Sequence, residues 1–229
     1  LEVVGMCIKD LVVVVCVALL GTSGIAVADF GVDITIYDGN SSTTTGWNGE
    51  NEDQEVEPGN VRDQVWDLEG FAMTDDSILS MLGGYDFVNG RSGYDSGDIF
   101  IDIDGDVGIG DSLPHGGNGV VSILSSDLDH GYEYVLDLNF DSMSYDIIEL
   151  TDDSWLSVYY GQNDASNPWR YDSGANVPLN SGTIGYQTGL SDAETGFLGG
   201  SHNAASFDVS FLDGSSRGKS SLSHFASVG

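Results

Sequence analysis

The chain has 229 residues and carries 37 Asp and Glu against 6 Lys and Arg, a formal net charge of −31. That length suits one domain with a single core. A surface this acidic repels nucleic acid and anionic lipid, which excludes both as partners drawn in by charge.

The first segment, 1–28, reads as a cleavable export signal. Lys9 supplies a positive start, Leu11–Leu20 is a ten-residue apolar run, and Ala26-Val27-Ala28 fits a small-x-small cleavage site. The run is shorter than the roughly 20 apolar residues that cross a bilayer. Cleavage after Ala28 would remove Cys7 and Cys16, the two cysteines of the chain. The remainder would then have no disulfide, no thiolate zinc site and no cysteine nucleophile. These features predict a secreted protein, extracellular or at the cell surface, with no stable membrane span after cleavage.

From residue 29 the pattern predicts one all-β domain ending near 214. Val32–Tyr37 alternates apolar and polar side chains and predicts a short strand. Residues 39–60 are rich in Gly, Ser, Thr and Glu and predict a long surface loop. Ile78–Phe87 is apolar and is broken at Gly83-Gly84, which suggests a bend or bulge. In Tyr132–Phe140 the residues Tyr132, Tyr134, Leu136, Leu138 and Phe140 share one face, a period of two that no helix would bury together. Tyr145–Leu150 and Trp155–Tyr160 follow after four-residue turns, and the three predict an antiparallel meander. Thr183–Thr188 and Ala204–Leu212 read as further strands. No stretch after the signal holds a helical period for ten residues. The expected fold is an antiparallel β-sandwich, jelly-roll-like. Residues 215–229 read as an irregular, Ser-rich tail, truncated or frameshifted, in which Arg217 and Lys219 mark an abrupt change of composition.

Two stretches carry candidate chemistry. Asp102, Asp104 and Asp106 alternate along a strand end at Gly105, with Asp111 shortly after. Calcium takes six to eight oxygens at about 2.3–2.6 Å, and carboxylates at alternate positions converge where a strand opens into a loop. The spacing is not that of an EF-hand, because Gly105 sits fourth and no glutamate stands twelfth. The competing reading is a strand with one solvated acidic face. The second stretch, 159–171, mixes aromatics and amides. Tyr160 and Trp169 would stack on a sugar ring, with Asn163, Asp164 and Asn167 taking hydroxyls. The competing reading packs Trp169 into the sandwich and pairs Arg170 locally.

Catalytic signatures are not found. His115, His130, His202 and His224 are scattered, without His-x-His or His-Glu-x-x-His spacing. There is no Gly-x-Ser-x-Gly elbow. A pair of carboxylates of the kind that hydrolyses glycans would meet only in the fold, so a glycan-active hydrolase or lyase stands as the rival to a non-catalytic protein.

Several phrases together resemble a known family: Glu55-Val56-Glu57-Pro58-Gly59, Gln64-Val65-Trp66-Asp67-Leu68-Glu69-Gly70-Phe71, Gly97-Asp98-Ile99-Phe100-Ile101-Asp102, Tyr159-Tyr160-Gly161-Gln162-Asn163-Asp164 through Trp169-Arg170-Tyr171, and Gly196-Phe197-Leu198-Gly199-Gly200-Ser201-His202-Asn203. Over residues 29–214 the chain is similar to the secreted domain of PEP-CTERM proteins, bacterial surface proteins sorted by an exosortase. The resemblance implies a role at the surface or in an exopolysaccharide-rich matrix, with extracellular polysaccharide or other surface proteins as partners. The family's tail of Pro-Glu-Pro, apolar helix and basic cluster is not matched by residues 215–229.

Overall fold

A computed structural model describes residues 30–34, 64–106, 119–127, 131–160, 168–214 and 224–227. The signal at 1–28 and the loop at 39–60 lie outside them. The described residues form antiparallel β-structure in three sheets, consistent with the expected all-β sandwich. Among the described residues the one α-helical element is a single turn, α1 (Asp192–Thr195). No described helix is long and apolar enough to cross a membrane.

The first sheet has the order β1-β2-β3-β12-β11, where β1 is Val32–Asp33, β2 Leu68–Met73, β3 Ile78–Gly83, β11 Gly185–Leu190 and β12 His202–Asp208. The second has the order β10-β7-β6-β4-β13, with β4 Ile99–Asp102, β6 Tyr134–Asn139, β7 Ser144–Glu149, β10 Asn180–Thr183 and β13 His224–Ser227. The third is β5-β8-β9, comprising Gly119–Leu124, Trp155–Tyr160 and Arg170–Ser173.

Side-chain alternation makes the second sheet the middle layer. Ile99, Ile101, Leu136, Leu138 and Ile147 point one way, into a core shared with Phe71, Leu79, Met81 and Phe207 of the first sheet. Phe100, Val135 and Ile148 point the other way, against Ile123 and Leu156 of the third. This is why Ile99-Phe100-Ile101 is continuously apolar: both faces of β4 are covered. A smaller cluster lies apart from these two and gathers Ala72, Leu82, Leu190 and Ala204 of the first sheet with Phe30, which precedes β1. On β3 the odd residues Leu79 and Met81 enter the main core, while Leu82 joins the smaller cluster and the Ser80 hydroxyl meets that of Ser206, 3.0 Å away.

The expected meander is only half present. β6 and β7 pair through a tight turn, with Asn139 opposite Ser144. β8 pairs instead with β5 and β9, and β10 takes the free edge of β7. The reason is burial. Placed beside β7, the third strand would leave Phe100, Val135 and Ile148 facing water. Crossing over, it lays Leu156 on them. Tyr132 also leaves its expected face: it precedes β6 and packs with Phe100, ring centroids 5.6 Å apart. Likewise 183–188 is not one strand. The chain passes from the second sheet to the first at Ile184, whose side chain is buried in the main core.

Gly83-Gly84 ends β3 under the entry to β2. A Cβ at Gly84 would lie 1.7 Å from the Gln64 carbonyl oxygen, and one at Gly83 would lie 2.3 Å from that of Asp67. Both obstacles are backbone, so they cannot swing aside. Gly84→Ala is expected to lower stability by about 1–3 kcal/mol, read as the urea midpoint.

Candidate metal centre

β4 ends at Asp102, and the next residues bend away. The Asp102 side chain turns back on its own backbone: Oδ1 accepts from the Asp104 N–H at 3.0 Å and the Gly105 N–H at 2.7 Å. Gly105 has φ of 83°, which favours glycine there. This local turn brings Asp104 and Asp106, both exposed, to the end of a strand whose Asp102 is buried.

The fourth carboxylate comes from a neighbouring strand. β4 and β6 pair with Ile101 opposite Tyr134, so the register continues to place Glu133 beside Asp102. The Glu133 N–H donates to the Ile101 carbonyl at 3.0 Å, and its Oε2 accepts from the Ile103 N–H at 2.8 Å. Each of Asp102, Asp104, Asp106 and Glu133 offers an oxygen, and these four oxygens lie within 4.8 Å of one another. Opposite ligand oxygens on an ion bound at about 2.4 Å are about 5 Å apart, so this spread fits around one hard cation. The cluster could hold a metal ion.

Electrostatics favour that occupancy. Burial pushes the Glu133 carboxyl above its usual range, and the charges of Asp104, Asp102 and Asp106 push it further. Close approach is permitted by Gly131, with φ of 74°, where a Cβ would meet Asp106 Oδ1 at 2.4 Å.

Of the residues expected to ligate, Asp102, Asp104 and Asp106 converge as their spacing predicts. Asp111 lies outside the described residues. Glu133 was not among the residues expected to ligate. Thirty residues separate it from Ile103, and no local signal marks that pairing.

The candidate sugar-binding stretch is described only in part. Asn163, Asp164 and Asn167 lie outside the described residues, and Tyr160 is placed only as the end of the β8 backbone. Trp169 is half-buried. Its N–H donates to Ser157 and its carbonyl accepts from Asp98, tying the segment to two sheets. Arg170 stands over the indole, 5.0 Å from the ring centroid, and donates to the Ser96 carbonyl.

A second buried acid lies at the same seam. Asp98 bridges the middle and third sheets: Oδ1 accepts from the Leu138 N–H at 2.9 Å and Oδ2 from the Tyr171 N–H at 2.7 Å. Burial pushes its carboxyl up to about 7, against the lowering effect of those two bonds. Asp137 beside it is also raised, by burial and by Asp146 across the strand pair.

Comparison with protein-family models, with curated proteins and with solved structures finds no match to this chain.

Proposed function

We propose that this chain is a secreted, non-catalytic protein of the cell surface or extracellular matrix, and that its β-domain takes a calcium ion at Asp102, Asp104, Asp106 and Glu133. The observation that carries the calcium reading is the convergence of four carboxylate oxygens within 4.8 Å from two paired strands. The export signal, the acidic surface and the lack of catalytic spacing support the extracellular, non-catalytic part.

The physical case is compensation. Four carboxylates crowded at a strand end repel one another, and one of them is buried. A divalent cation converts the repulsion into coordination. Four carboxylates in one irregular shell suit calcium, which takes six to eight oxygens in flexible geometry, better than magnesium, which keeps several waters, takes one or two carboxylates and demands a near-octahedral shell. Binding to the folded form alone adds RT ln(1 + [L]/Kd), about 2.7 kcal/mol at a hundredfold excess. Extracellular modules often work at Kd of about 10⁻⁴–10⁻³ M.

Thermal melts in calcium, in magnesium and in chelator test this. Calcium is expected to raise Tm by about 5–10 °C, and magnesium by clearly less. Asp104→Asn and Glu133→Gln should each abolish the calcium-specific rise, while Glu55→Gln, in the acidic stretch at 50–57, should leave it intact. An equal rise with any divalent salt would reduce the effect to screening of a charged surface.

A further inference from the structure

Two strand irregularities in the first sheet aim a pair of buried ionisable side chains at each other. β2 slips register against β3 between Leu68 and Gly70, and β11 slips against β12 between Thr188 and Leu190. The first slip displaces Glu69 from regular pairing, and the second sets His202 opposite Leu190. Between them β3 carries Gly83, which leaves room. Bulges commonly re-aim a side chain in this way. Glu69 and His202 are both fully buried, 133 residues apart in sequence, with His202 Nδ1 2.6 Å from Glu69 Oε2.

The other ring nitrogen reaches a different element. His202 Nε2 lies 3.0 Å from Oδ1 of Asp192, at the start of α1, and the Asp192 side chain is 42 % exposed. The same oxygen accepts from the Gly200 N–H at 2.6 Å. Gln64 completes the group, donating to Glu69 Oε1 at 2.9 Å and approaching the Ser201 carbonyl at 3.4 Å. Glu69 and Asp192 are the charged groups that face His202. Gln64 is neutral, and Glu194, the other carboxylate of α1, is engaged by the Ser191 N–H and hydroxyl. Burial pushes the Glu69 carboxyl up, while the bond from His202 holds Asp192 low.

Proton bookkeeping makes this trio conditional. An imidazole flanked by two carboxylates bonds to both only if both ring nitrogens carry hydrogen, or if one carboxyl carries it instead. Either arrangement holds one proton more than two carboxylates and a neutral ring. Remove that proton and a lone pair faces a carboxylate oxygen. Glu69 has no water to turn to, so it keeps the remaining N–H. Asp192 can be rehydrated, and it is the group that lets go.

Apart from Gln64, which reaches the Ser201 carbonyl and lies over Gly199, little else holds the segment that Asp192 belongs to. None of residues 191–201 is buried. Its main apolar contact is Phe197, packed on the Phe30, Ala72, Leu82, Leu190 and Ala204 cluster. Gly196, Gly199 and Gly200 all have positive φ and can act as hinges. Segments with few buried contacts are the ones that open locally.

We propose that residues 191–201 form a proton-dependent strap: one proton shared among Glu69, His202 and Asp192 holds it over the smaller apolar cluster, and loss of that proton frees Asp192 and lifts Phe197 away. The strap shares no residue with the cation centre, so the two ideas stand or fall separately.

Hydrogen exchange of the intact chain, read on peptides covering 191–201 and corrected for intrinsic rates, tests it. From mildly acidic to mildly alkaline pH, protection of these amides is expected to fall about tenfold or more, while β3 and β12 stay protected. Asp192→Asn keeps the oxygen that Gly200 binds but removes the charge, and should flatten the pH dependence. His202→Gln should flatten it too, but alters the core, so Asp192→Asn decides. Protection that is constant with pH in the unaltered chain, or an equal pH dependence in Asp192→Asn, overturns the proposal.

Discussion

Replacing Asp98 by asparagine is expected to remove most of the acid-side gain in this domain's stability. Asp98 titrates near 7 in the folded protein because burial disfavours its charge, whereas an unfolded aspartate titrates near about 4. Between those values the folded state holds a proton that the unfolded state has released. Stability therefore falls as pH rises through that window, and is flat on either side. The span corresponds to on the order of 4 kcal/mol. Asparagine cannot ionise, so this slope disappears. It also offers one acceptor where two are used, leaving either the Leu138 or the Tyr171 N–H facing an amide donor. At low pH the variant should be weaker by roughly 1–3 kcal/mol; because the unaltered protein loses more than that across the window, the two curves should cross in the mildly acidic range and the variant should be the more stable one near neutral pH. Urea midpoints for both proteins across pH check this. The net charge of −31 adds a decline with pH that is common to both. Parallel curves would show that Asp98 is not held as described.

The largest loss from a single apolar truncation is expected at the seam between the middle and third sheets. Phe100 is fully buried between Val135 and Ile148 on one side and Ile123 and Leu156 on the other, with Tyr132 against its ring. Phe100→Ala should cost about 3–5 kcal/mol, the lost transfer energy plus the cavity left behind. Trp155→Ala, on the same third sheet but 41 % exposed, should cost far less. Denaturant unfolding separates the cases. A small loss at Phe100 would mean that the third sheet does not cover the middle one.

The candidate centre was legible as far as it is local. Asp102, Asp104 and Asp106 converge through a turn that Asp102 and Gly105 make with their own backbone. Glu133 was not legible, because its place depends on β4 pairing with β6 across about thirty intervening residues. The same holds for His202. The sequence shows a lone histidine in a Gly-rich stretch, and only two register slips in different strands bring Glu69 to it. Asp98 reads as one more acid among 37. Its raised titration exists only because two sheets close over it.

By itself the sequence determined the charge, the β class and the individual strands with clear alternation. Period two states which side chains share a face, and four residues between β6 and β7 leave little choice but to pair them. Partner choice beyond the nearest turn was decided by tertiary structure. Alternation says that a face must be covered without saying by what. The strand at 155–160 could have extended the meander, and instead crossed to a third sheet because Phe100, Val135 and Ile148 needed covering on the far side of the middle one. Burial on both faces is a property of three layers together, and no single segment encodes it.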